Sequence, residues 1–146
     1  DELAERLEGD PSVEVVAYRD GAEAVARRAG AELRFAPTQE GWRTSGEARL
    51  LDQPLALERL WSALENPNAG DVLVSATPGL EFADLGGRHH AAGGSHGSLE
   101  RGDSEVPMLA VGIERLPTRI TEIAPTVLRH FEIEPPSYSI VTSVAA

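Results

Sequence analysis

The chain has no cysteine and no lysine, a single methionine, and aromatic residues at only 5%. Without cysteine, disulfides, thiolate nucleophiles and cysteine-ligated zinc all drop out, so any metal site must draw on His, Asp, Glu or backbone oxygen. All 13 basic residues are Arg, which excludes a Gly-rich phosphate loop closing on its required Lys. No apolar run approaches the length of a membrane span. Against 13 cations stand 24 carboxylates, for a formal charge of -11. Such a surface repels nucleic acid phosphates unless a local Arg patch or a bound cation reverses the field, so no nucleic acid polymer is expected as a partner.

What is present fits a globular domain. The length is 146 residues, with 41% hydrophobic and 25% charged residues, enough for one core but short for two independent ones. Residues 2–8 place Leu3, Ala4 and Leu7 on one helical face, and Gly9-Asp10-Pro11 stops them. Val13, Val15 and Ala17 alternate as a strand. Between Gly21 and Gly46 the signals are mixed, and a small antiparallel meander accounts for them best. Pro54 to Leu64 reads as a core-facing helix carrying Leu57, Leu60, Trp61 and Leu64. Asp71 to Ala76 is a short, continuous apolar run, as expected of a strand buried on both faces of an α/β sheet. Val106 to Ile113 forms a second such run, and Ile120, Ile123, Ala124, Val127, Leu128 and Phe131 trace a helical stripe behind it. For Pro125 to sit in the first turn, that helix must begin near Glu122. The tail from Glu134 to Ala146 reads as an extended arm or edge strand.

Residues 86–104 hold six Gly and three His, too permissive a backbone for a helix and of a length that suggests a working loop. Within them, Gly93-Gly94-Ser95-His96-Gly97 sets an imidazole among glycines. His96 is a candidate metal ligand, since neutral imidazole is a common donor to zinc-like ions. Gly93-x-Ser95-x-Gly97 also has the form of a nucleophile elbow, with Asp103 and His130 in the chain order of a triad. An elbow needs a buried strand before the serine and a helix after it, and neither flank fits. A glycine loop with a solvent-exposed histidine is the plain alternative.

Four blocks bear on this choice: Gly70-Asp71-Val72-Leu73-Val74-Ser75, Gly93 through Leu99, Asp103 through Leu109, and Thr121 through Leu128. In order and spacing they resemble the C-terminal part of the alkaline phosphatase superfamily, nearest to type I phosphodiesterase/nucleotide pyrophosphatase proteins, over roughly the last half of the chain. The resemblance implies an α/β, three-layer fold with a small β-rich N-terminal part. On this reading residues 1–54 form a small mixed or β-rich segment, and residues 55–146 the C-terminal part of the α/β core with the metal-ligand loop. It implies a hydrolase of phosphate esters in which two divalent ions, zinc or in some branches manganese, stabilise the attacking and leaving oxygens. By motif position His96 is one metal ligand. The nucleophile and the Asp-x-x-x-His and Asp-His-Gly ligands that the resemblance calls for have no counterpart here. The expectation is therefore of a C-terminal portion of a longer enzyme, inactive alone, whose partners are the preceding part of the same polypeptide and a small phosphate ester. A surface left uncovered by that missing part carries a risk of self-association. The rival is a stand-alone, non-catalytic binding module.

Other candidates have simpler readings. His89-His90 lie near the loop but point different ways. Arg88 and Arg101 could grip phosphate, yet on so acidic a surface ordinary carboxylate pairing is favoured. His130 at a helix C-terminus suits the dipole. Trp42 and Trp61 read as core or interface residues, and Ser95 and Ser98 as loop supports.

Overall fold

The computed structural model describes residues 2–83, 86 and 96–137. The chain runs α1 (Glu2–Glu8), β1 (Val13–Asp20), β2 (Glu23–Arg28), β3 (Ala31–Thr38), β4 (Gly41–Gly46), α2 (Ala56–Glu65), β5 (Val72–Ala76), α3 (Arg101–Ser104) and α4 (Ile120–His130). The five strands form one sheet in the order β4-β3-β2-β1-β5, and every pairing is antiparallel.

Two-residue loops dictate that arrangement. Gly21, at φ 60°, opens the β1–β2 turn, and Ala29 and Gly30 take φ 50° and 81° between β2 and β3. Positive φ at these positions matches the right-handed twist of the flanking strands and closes tight hairpins. Gly46 is required for a different reason: a Cβ there would stand 2.3 Å from the Glu32 carbonyl oxygen.

Alternation sends the strand residues to two faces. Val15, Ala17, Ala24, Ala26, Leu33 and Phe35 face α2, where Leu57, Leu60, Trp61 and Leu64 cover them. Val16, Tyr18 and Val25 face α1, packed by Ala4 and Leu7. Val13 shares the second face with Val16, three positions on, because the register slips between Val13 and Val15. Such a bulge admits one extra residue and bends the strand. Phe35, Trp42 and Trp61 meet with ring centroids 5.8–6.5 Å apart, and the Arg19 guanidinium lies 4.0 Å over the Trp61 ring. Both tryptophans thus pack, partly buried, against the core. Glu8 ties α1 to the β2–β3 hairpin, accepting from Arg27 Nε at 2.9 Å and from the Gly30 amide.

The three-layer α/β fold expected from the sequence is corrected by this architecture. The domain is mostly β, an antiparallel five-stranded sheet with few helices. Helix 2–8, the strand from Val13, the meander and the helix after Pro54 form much as expected. The error lies in β5. Its apolar run does make a strand, but one that pairs antiparallel to β1 at the sheet edge, where Val74 is 41% exposed. Val106 to Ile113, read as a second core run, forms no strand. Pro107 cannot donate to a ladder, Gly112 sits at φ 77°, and Val106, Leu109 and Val111 are exposed. Helix α4 begins at Ile120, two residues earlier than expected, so Pro125 lies past the first turn and forgoes one helical bond. Its start is held by Glu122, whose carboxylate accepts from the Thr118 amide at 2.8 Å. Of the expected C-terminal arm, the part beyond Ser137 lies outside the described residues.

Candidate functional site: a cleft at the end of β5

The run of β5 ends at Thr77, whose amide donates to Ser12 O and whose hydroxyl donates to Pro11 O, both at 2.9 Å. The chain end of this edge strand is thereby fixed to the entry of β1. A turn through Pro78 and Gly79, the latter at φ 83°, then swings Leu80 to Phe82 outward. Opposite this wall runs residues 96–103, and between the two opens a cleft of about 520 Å³. Its lining includes Glu81, Phe82, His96, Ser98, Glu100 and Asp103.

The second wall is anchored at several points. Leu99 is buried in the core beside Phe35 and Leu60, and its amide donates to Ser75 Oγ at 2.9 Å. Ser75 is buried at 7% exposure, so this bond is what satisfies its hydroxyl oxygen there. The Ser98 hydroxyl donates to Asp103 Oδ2 at 2.6 Å and accepts from the Glu100 amide at 3.1 Å. Arg59 reaches across from α2, donating to Ser98 O at 2.8 Å, to Ser104 Oγ at 2.7 Å and to Leu99 O at 3.2 Å.

His96 lies exposed on the rim of this cleft. Asp103 lines the same cleft but is held by Ser98. The third member of the conjectured triad, His130, is not brought there. It ends α4, stacked edge-on against Phe131 at 5.1 Å, and is not among the residues that line the cleft. Ser95, Arg88, His89 and His90 lie outside the described residues. Arg101 pairs with Glu105 one helical turn on, the ordinary carboxylate role expected of it, and Ser98 supports the loop as expected.

The donor set fits only part of a metal centre. The cleft offers one imidazole and the carboxylates of Glu81, Glu100 and Asp103, yet among the described residues no three His, Asp or Glu side chains converge on a point that could hold an ion. A catalytic zinc takes three protein ligands, so the described residues do not complete even one ion's site, and no chemical step is drawn through a metal. The cleft's charge has a clear consequence all the same. Among the described residues no arginine lines it, so an anionic group on that part of the wall faces carboxylates unless a cation accompanies it.

Arg59 and Ser75 are the residues the sequence does not announce. Arg59 sits between Leu57 and Leu60 in the middle of an amphipathic helix, and its loop partners lie 39 to 45 residues away. Nothing in local periodicity signals contacts of that span. Compared with family models, curated proteins and solved structures, the chain finds no match. No helix among the described residues is long and apolar enough to cross a membrane.

Proposed function

We propose that this chain supplies His96 to a divalent-metal-dependent site for hydrolysing phosphate esters, with the remaining ligands and the nucleophile brought by another part of the same polypeptide. The observation that carries this reading is His96 on the rim of a carboxylate-lined cleft whose wall is pinned to the core. The order of the sequence blocks that resemble type I phosphodiesterase/nucleotide pyrophosphatase proteins is what suggests this chemistry, although the fold that the resemblance implies does not form. Two zinc ions, or manganese, are the cofactors this reading implies. The carboxylates of Glu100 and Asp103 among the described lining residues suit a cation first and a phosphoryl group second. The apolar side chains left exposed between Val106 and Ile133 also suit a chain that is covered by further polypeptide. Taken alone, the described residues lack the donors for catalysis.

The test is His96→Ala in the polypeptide that contains the complementary ligands. Metal content and phosphate ester hydrolysis fall together if the reading holds. Unchanged metal content and unchanged rate in that variant end it. A second reading is favoured by the lack of three converging donors among the described residues: a non-catalytic module whose cleft binds a small molecule or partner. It expects binding at the cleft with no dependence on divalent ions.

A further inference from the structure

We infer that Arg59 is the positioning residue of the cleft: its guanidinium, reaching from α2, holds the wall that carries His96 at the end of β5. The inference rests on the cleft being the working site proposed above, and it concerns a residue outside the cleft lining.

Three features support it. First, the contacts are made to backbone. Nη2 donates to Ser98 O at 2.8 Å, and Nη1 donates to Leu99 O at 3.2 Å, so the main chain two and three residues after His96 is held directly, whatever its side chains do. Second, the grip is shared. Nη1 also donates to Ser104 Oγ at 2.7 Å, and that hydroxyl in turn donates to Glu100 O at 2.6 Å. One guanidinium therefore closes the turn from Ser98 to Ser104 at both ends. Third, beyond Arg59 the turn is tied to the rest of the domain chiefly through Leu99, by its burial and its amide bond to Ser75. Helix α3 spans four residues with no buried member and no side-chain cap, and Leu99 is the one residue of the turn that enters the core. A planar fork that serves two carbonyls and a hydroxyl at once has no equivalent in an ammonium group, which is a point charge on a flexible stem. Residues ordered mainly by polar contacts open more readily than a packed sheet, so removing the fork should free this wall and leave the sheet intact.

The experiment is amide hydrogen exchange and imidazole NMR on the 15N-labelled chain, comparing the parent with Arg59→Gln and Arg59→Lys. The inference expects Leu99 and Glu105 amides to exchange at least tenfold faster in both variants, and the His96 ring resonances to move towards free-peptide positions. Ala17 and Ala26, in the β1–β2 ladder, keep their protection. Parent-like Leu99 exchange and His96 resonances in Arg59→Gln overturn the inference, as does full recovery of both by Lys. Should Arg59→Gln lose the sheet, Ser104→Ala removes a single contact of the fork. Faster Leu99 exchange there supports the inference, and parent-like exchange overturns it. Leu99 exchange judges Arg59 without any metal present, whereas the metal reading stands or falls on His96→Ala in the polypeptide that contains the complementary ligands.

Discussion

Phe35 and Leu109 are both large apolar side chains, yet the first is completely buried and the second is 93% exposed. They stand for two regions built on different terms. In the sheet each apolar residue acquires neighbours through two-residue hairpins and one helix on either face, so contacts follow from local geometry. Between Val106 and Ile133 the apolar residues have no such scaffold. Val106, Leu109, Val111, Ile120, Phe131 and Ile133 all stay more than half exposed, although α4 is tied to α2 by the ion pair of Arg119 with Glu58. Hydrophobicity alone therefore does not locate a core. An apolar residue is buried when topology presents it with a partner, and the second region presents its side chains outward.

The largest effect that sharpens this contrast is Phe35→Ala. Phe35 contacts both tryptophan rings and sits at the centre of the α2 face. Truncation removes that burial and leaves a cavity in a closely packed cluster, a loss of about 3–5 kcal/mol by comparison with other core aromatics. Urea unfolding followed by tryptophan fluorescence reads it directly, since Trp42 and Trp61 flank the site. A loss below about 1 kcal/mol would show that the aromatic cluster is loosely packed and that the two regions differ less than their exposures imply.

The boundary between what the sequence reveals and what it hides follows the same line. Helix α1, the meander and α2 are legible because their signals are local: periodicity, a stop at Gly9-Asp10-Pro11, a proline opening a helix. The role of β5 is not, because a run such as Val72-Leu73-Val74 has the same pattern whether it lies inside a parallel sheet or at an antiparallel edge. Only the partner strand decides, and β1 lies more than fifty residues earlier. In the second run Pro107 and Gly112 are local signals against a strand that the apolar pattern by itself does not show. In the cleft, His96 is legible from its glycines, while its support by Arg59, Ser75 and Leu99 depends on contacts that no local motif encodes.

A smaller effect comes from the bulge in β1. Glu14 is the residue at which the register slips, and its side chain is only 7% exposed. Oε1 accepts from Arg28 at 2.8 Å, while the buried Oε2 has no hydrogen-bond partner. Burial pushes this carboxyl above its ordinary value of 4.5; Arg28 opposes the rise, and Glu100 and Asp52 add to it. A carboxyl whose pKa rises on folding binds its proton more tightly in the native state. Its contribution is then full below the unfolded value and is lost as pH rises through the native one. Glu14→Gln removes that dependence, so the stability of the variant relative to the parent should climb as pH increases from 4.5 towards neutrality. Urea midpoints at a series of pH values test this, and a difference that stays flat or falls with pH refutes it. Asp10 and Glu122 pull the other way. The Ser12 hydroxyl and amide hold Asp10 low, and chiefly the Thr118 amide holds Glu122 low, so their share is lost as pH falls through those lowered values. The pair Glu14→Gln and parent isolates the Glu14 slope because both retain Asp10 and Glu122.

The smallest effect on folding is expected where the apolar surface is most exposed. Leu109→Ser with Val111→Ser replaces side chains that are 93% and 90% exposed, and a change at positions that lose no buried contact stays within about 0.5 kcal/mol. Its effect should appear in association instead. The parent chain also exposes Val106 at 73% and Ile120 at 84% in the same region, and exposed apolar side chains favour contact with other apolar surface. Sedimentation velocity over a range of concentrations should therefore show less self-association in the double variant, at an unchanged urea midpoint. If the unfolding free energy falls by more than about 1 kcal/mol in an otherwise monomeric chain, residues 106–133 are covered by the chain's own surface in solution. The contrast with Phe35 would then be one of degree, and the proposal that other polypeptide covers this region would lose its physical support.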